Sequence, residues 1–273
     1  MFGKLMKYEL RDCLRIFLPL WGAVLVIALI NGLTGGLNLS GSGRLIEFIL
    51  HILPGMLLFG LSFGMFVIAL IIIIRRFFSG LLGEGGYLAF SLPVTPAQHI
   101  TAKLLTALIM IAGCTLAGFL ATVILGAARG YLGSAQEFFA RAGKILSLYP
   151  KTGMLATELI LILVLTASYT VLRLYSGMAV GHLFNSHRGL WSLVAVIGIG
   201  WIINAILILA GRLLNSFGMH MSLEINASSF LELLRYLDIF QKVFGYTIGF
   251  LIIGNVVLWL VTWLILKKKL NIL

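Results

Sequence analysis

Six stretches of the chain are apolar for long enough to cross a lipid bilayer, whose hydrocarbon core takes about 20 residues of helix. They run roughly over 16–33, 49–74, 104–127, 153–184, 190–211 and 245–266. Outside them the pattern changes to helical amphipathicity. Phe2, Leu5, Met6, Leu10, Cys13, Leu14 and Phe17 recur at helical spacing, and Lys4, Lys7, Arg11 and Arg15 form a separate stripe. That predicts a basic helix over 1–15 lying flat in the inner-leaflet interface before it turns into the first span. In 129–152, Phe138, Phe139, Ala142, Ile145, Leu146 and Tyr149 share one face, which suits a second surface helix on the opposite side. Before the last span, Ser229 and Glu232 have capping-box spacing. Phe230, Leu233, Leu234, Leu237, Phe240 and Phe244 then repeat at i, i+3, i+4 and i+7, predicting an external amphipathic helix that feeds the sixth span.

Composition agrees with this pattern. Of 273 residues, 60% are hydrophobic and 11% charged, with a mean hydropathy of +1.09. Soluble domains carry about 25% charged residues, so too few charges are present to cover a water-facing surface. The expected fold is an all-α polytopic membrane protein, one transmembrane domain over 1–273. The first apolar run is not read as a signal peptide, because a structured basic segment precedes it and no small-residue cleavage site follows.

The net charge of +11 could suggest nucleic acid, but the charges flank the apolar runs instead. With the N-terminus inside, eleven basic residues face the cytoplasm and eight the other side, favouring a cell-membrane protein with both termini cytoplasmic. The doublet Arg75–Arg76 and the tail "LKKKLNIL" are the strongest anchors. Cys13 and Cys114 form no disulfide framework.

Most active-site chemistry lacks its residues. There is no GxxxxGK[ST] run for nucleotide phosphates, no GxSxG elbow, no HExxH and no CxxC. No metal set and no bound cofactor are expected, and an enzyme with its own active site is poorly supported. Ionisable groups inside spans cost several kcal/mol at the bilayer centre. Glu158 and Arg173 qualify, both in the fourth span. They lie fifteen residues apart, roughly 22 Å along a helix, and cannot pair with each other. One reading sends Glu158 to the outer headgroups and lets Arg173 snorkel inward. The other places them along a translocation path. A self-powered carrier needs a midplane charge relay or broken helices, and neither is visible.

The informative interruption is "RRFFSGLLGEGGYLAFSLPVTPAQHITAKLL", 75–105. Arg75 and Arg76 stop the second span. "GEGGY" is a flexible elbow, "YLAFSL" a short apolar helix, and "PVTP" its end. "PAQHITAKLL" restarts a helix with Pro96 in its first turn. The result is a compact knob over 75–103 with exposed Tyr87, Leu88 and Phe90, which suits docking onto a soluble protein.

"EGGYLAFSLPVTPAQHITAKLL" resembles the coupling-helix segment of type-two ABC-transporter permeases, the drug- and antibiotic-export class. Glu84, Gly85, Pro93, Thr95, Pro96 and Lys103 stand where that family has a carboxylate, a glycine, Pro-x-Ser/Thr-Pro and a lysine entering the third span. The opening "KLMKYELRDCLRIFLPLW" is similar to small permeases of Gram-positive bacteria. One departure is the second glycine, Gly86, between Glu84 and Tyr87.

The resemblance implies a mechanism. Two six-helix subunits, identical or homologous, pair in a bacterial membrane, each docking on one of two copies of a separate ATPase. ATP and Mg bind that partner, and its closure moves the coupling helices to alternate access to a path between the permeases. By this resemblance Glu84, Gly85, Gly86, Tyr87, Leu88, Phe90, Pro93, Thr95 and Pro96 form the docking element. Membrane lipid is a further partner and nucleic acid is not. The competing readings are a self-sufficient channel or secondary carrier, and a structural or signalling subunit.

Overall fold

The computed structural model describes residues 2–35, 52–83, 94–128, 150–184, 187–216 and 230–268, with a few single positions between them. The elements there are helices: α1 (Phe2–Gly35), α2 (Leu53–Phe77), α3 (Pro96–Ala128), α4 (Pro150–Gly181), α5 (Arg188–Ser216) and α6 (Phe230–Lys268). One π-helical turn, Phe78–Leu82, prolongs α2. All six α-helices contain a stretch long and apolar enough to cross a membrane, so the chain is a multi-pass membrane protein. Large apolar side chains face outward on them, among them Phe59 at 76% and Trp201 at 77% exposure, and lipid is the solvent that tolerates such a surface.

The N-terminal segment differs from expectation. It does not lie as a separate flat helix: α1 is continuous from Phe2 to Gly35, 34 residues. At 1.5 Å per residue that is about 51 Å, well beyond a hydrocarbon core of about 30 Å. The predicted amphipathicity is present, but protein rather than lipid covers its apolar side. Cys13 and Phe17 are buried, Leu10 and Leu14 pack beside them, and the Thr106 hydroxyl of α3 lies 3.6 Å from Met6 Sδ. Lys4, Lys7, Arg11 and Arg15 line the exposed side. Pro19 removes one backbone donor without ending the helix, as neighbouring helices permit in membrane proteins.

The external helix before the last span is likewise no separate element, since α6 runs unbroken for 39 residues. Of the surface helix expected in 129–152, residues 150–152 belong to α4 and the rest lies almost wholly outside the described residues.

The helices divide into two units, Met1–Arg76 with Pro93–Leu148, and Phe77–Leu92 with Tyr149–Leu273. The first holds α1, α2 and α3. Its core is Phe17, Val24 and Ala28 of α1, Met65 and Ala69 of α2, and Met110, Cys114, Ala117 and Ala121 of α3. The α3 positions alternate steps of four and three, which keeps a single stripe on the seam. Gly113 leaves room for the Trp21 indole, and Trp21 Nε1 donates to Cys114 Sγ at 3.4 Å.

In the second unit α4 packs against both α5 and α6. The α4–α5 seam depends on small residues. A Cβ at Gly181 would collide with the Ser192 backbone, and one at Gly177 with Val196. Close approach of helix backbones is how membrane helices gain dispersion energy without a hydrophobic drive. Across the α4–α6 seam, Asn255 Nδ2 donates to Leu165 O at 3.1 Å, and Gly254 receives the Tyr169 ring. Buried hydroxyls are satisfied within their own helices: Thr106 donates to Ala102 O at 2.9 Å and Thr262 to Leu258 O at 2.8 Å. The C-terminal end of α6 carries stacked Trp259 and Trp263, with Lys267 Nζ 4.8 Å from the Trp263 ring centre. Aromatic and basic residues in that order mark a membrane–water boundary.

Candidate functional site

The interruption between α2 and α3 is rooted in an ion cluster of the first unit. Glu9 of α1 stands between Arg76, near the end of α2, and Lys103, in the second turn of α3. Its Oε2 accepts from Arg76 Nη2 at 3.0 Å and its Oε1 from Lys103 Nζ at 2.9 Å. Arg76 also donates to the Glu9 carbonyl at 3.0 Å, meets Asp12 Oδ2 at 3.3 Å and contacts Cys13 Sγ. Lys103 gives a second hydrogen bond to Arg76 O at 3.1 Å, so a cation caps the carbonyl end of α2. The Lys103 and Glu9 side chains are only 8% and 15% exposed. At that burial the pair is held in a low effective dielectric, where both its attraction and the penalty for breaking it grow.

Beyond Arg76 the chain joins the second unit. Phe77 is fully buried and stacks on Tyr175 of α4, ring centres 4.0 Å apart and planes 11° from parallel. Phe78 meets His182 edge-on at 6.3 Å. Two adjacent aromatics therefore fasten the start of the segment to the end of α4. The π turn closes with Gly83 N–H donating to Phe78 O at 2.8 Å, and a tight turn follows with Gly86 N–H donating to Gly83 O at 2.9 Å. A Cβ on Gly86 would lie 2.7 Å from Leu81 O. The extra glycine of this sequence is thus required by its own elbow.

At the far end, Thr95 and Gln98 form a reciprocal cap. Gln98 N–H donates to Thr95 Oγ1 at 3.4 Å and Thr95 N–H to Gln98 Oε1 at 3.1 Å. Pro96 opens α3 at the position where a missing N–H is not needed. Thr95 and Pro96, expected in the docking element, have this local task. Glu84, Gly85, Tyr87, Leu88, Phe90 and Pro93 lie outside the described residues.

Glu158 and Arg173 share α4 and do not meet. Glu158 Oε2 is buried without a hydrogen-bond partner among the described residues. Arg173 lies against Gly200 of α5, where a Cβ would stand 3.3 Å from its Cζ. Sequence reasoning passed over Glu9, Asp12, Tyr175 and the Gly177–Gly181 pair. Glu9 carried a signal, being a carboxylate inside a basic stripe. The glycines carried another, the G-x-x-x-G spacing in an apolar helix. Tyr175 had none, because an aromatic in a span reads as ordinary packing.

Among the described residues no group of three His, Cys, Asp or Glu is placed to hold a metal ion. Comparison with protein-family models, curated proteins and solved structures finds no match to this chain.

Proposed function

We propose that the chain is the membrane-spanning permease subunit of an ATP-driven ABC exporter. It docks a separate ATPase through 84–96, pairs with a second permease, and keeps both termini in the cytoplasm of a bacterial cell. Six crossings return the chain to its starting side, consistent with that placement. ATP and Mg belong to the partner, and Glu158 and Arg173 are offered as groups along the translocation path. The observation that carries the reading is the rooting of the interruption. Arg76 and Lys103 are tied to Glu9, whereas Phe77 and Phe78 are tied to Tyr175 and His182. A segment that only closed a loop would need neither set of ties. One that receives a push and passes it to helices needs stiff roots.

The test is co-purification of a soluble ATPase with the tagged chain from its native membranes, comparing wild type with Tyr87→Ala/Phe90→Ala permease. Burial of each ring contributes about 1.5–3 kcal/mol before ordering costs. The double variant is expected to insert normally and to lose the ATPase, or to hydrolyse ATP without transport. Full binding and full transport by that variant, or ATP-independent flux by the purified chain alone, would remove the basis for this function.

A further inference from the structure

One side of α1 forms a single stripe along most of its length. Lys4, Tyr8, Arg11 and Arg15 are exposed on it, with Lys7 beside them. Steps of three and four carry the same line on through Leu18, Gly22, Val26, Leu29 and Leu33, all exposed as well. Protein covers the opposite side, where Cys13, Phe17, Val24 and Ala28 are buried. The outward face is therefore cationic, with one aromatic, up to Arg15 and apolar beyond it. A Cβ on Gly22 would meet nothing within 4 Å, so the apolar part has a shallow notch.

The ion cluster sets the level at which this character changes. Arg76 follows the apolar run of α2 by two residues, and Lys103 precedes that of α3 by one. Both hold Glu9, so Glu9 stands where hydrocarbon gives way to headgroups. At about 1.5 Å per residue, Lys7 and Lys4 lie about 3 and 7.5 Å from it on the water side, and Arg11 and Arg15 about 3 and 9 Å on the lipid side. Side chains on a helix lean toward its N-terminus, so the two arginines reach back to the boundary. The four cations thus converge on a headgroup layer about 5–7 Å thick. None of them has an ion pair or hydrogen bond among the described residues. Asp12, the exposed carboxylate beside them, is engaged by Arg76 at 3.3 Å.

We propose that this face of α1 binds an anionic phospholipid of the adjoining leaflet. Arg11 and Arg15 hold the phosphate, Lys7 and Lys4 add charge on its water side, and an acyl chain lies along Leu18, Gly22 and Val26. A guanidinium presents its donors as a fork that matches phosphate oxygens in pairs. Tyr8 suits the same layer, since its ring is apolar and its hydroxyl wants water. An acidic soluble protein would match the cations and leave the apolar continuation unused, whereas a phospholipid matches both. The inference does not rest on the transporter reading, because it concerns the isolated chain.

The experiment measures thermal unfolding of the purified full-length protein in neutral detergent. Dioleoyl phosphatidylglycerol, dioleoyl phosphatidylcholine and hexaglutamate are titrated separately. Wild type is expected to be stabilised by phosphatidylglycerol in preference to phosphatidylcholine, with no response to hexaglutamate. Arg11→Gln/Arg15→Gln should need about 25-fold more phosphatidylglycerol for the same shift, about fivefold per charge. Lys267→Gln/Lys268→Gln, which removes two exposed cations at the end of α6, should respond as wild type does. If the arginine variant does not fold, Arg11→Lys/Arg15→Lys decides, because it keeps the charge and loses the fork; a several-fold weaker phosphatidylglycerol response is expected. Equal responses to the two lipids in wild type, an undiminished phosphatidylglycerol preference in the folded arginine variants, or an equal loss in the α6 variant overturns the proposal. Stabilisation by hexaglutamate that is lost with Arg11 and Arg15 overturns it in favour of an acidic protein partner.

Discussion

Lys103 Nζ donates to Glu9 Oε1 at 2.9 Å, although the two residues stand 94 positions apart in the chain. The bond joins the exposed basic start of α1 to the second turn of α3, with Arg76 held on the other carboxylate oxygen. Glu9→Ala would leave Lys103 buried and unpaired, and is expected to cost about 3 kcal/mol. Arg76→Ala should cost less, about 1 kcal/mol, because Arg76 is 26% exposed and solvent screens it. Chemical unfolding in detergent checks this order. The double variant Glu9→Leu/Lys103→Met should recover most of the loss, and a double-mutant cycle showing no coupling between the two positions would contradict the clamp.

The Phe77–Tyr175 stack predicts a large local effect. Phe77 is fully buried and Tyr175 is 1% exposed, so Phe77→Ala is expected to destabilise by about 3–5 kcal/mol. Phe77→Leu should lose less than half of that, since it refills most of the volume. Thermal unfolding gives the stability order. Under the proposed permease function, the Phe77→Leu variant in complex with its ATPase should hydrolyse more ATP per substrate moved than wild type, whereas a stack with no transmitting role would leave that ratio unchanged.

Two glycines separate a yielding neighbour from a rigid one. A Cβ at Gly113 meets the side chain of Trp21, and one at Gly181 meets the backbone of Ser192. Gly113→Ala should therefore be mild, and milder still with Trp21→Phe. Gly181→Ala forces α4 and α5 apart and should destabilise clearly more, with no single side-chain suppressor. Melting temperatures of the three variants check this ranking.

The cap at the start of α3 supports a smaller prediction. Thr95→Val removes the hydroxyl that receives the Gln98 N–H, and should cost about 1 kcal/mol. Thr95→Ser should keep most of the stability. Because Thr95 is exposed, an effect of Thr95→Val on ATPase binding larger than its effect on stability would reveal a docking contact in addition to the cap.

Six spans, a basic amphipathic start and an interrupted stretch after Arg76 were legible in the sequence alone. The physical reason is that lipid demands about 20 apolar residues per crossing and every backbone group satisfied within the segment, so composition along the chain is enough to locate the helices. The local elbow and the helix start at Pro96 were legible for a similar reason, since glycine and proline act on neighbours a few residues away. What tertiary structure alone decided is which side chains meet. The stripe of Leu10, Cys13, Leu14 and Phe17 suited lipid and protein equally, and only the presence of α3 beside α1 settled it for protein. Glu9 reads as one carboxylate among four basic residues until α2 and α3 bring Arg76 and Lys103 to it. Tyr175 reads as ordinary span packing until α4 brings it against Phe77. Partner identity in a membrane depends on the register and rotation of whole helices. Those are set by summed close contacts along each seam, and no single stretch of sequence contains that sum.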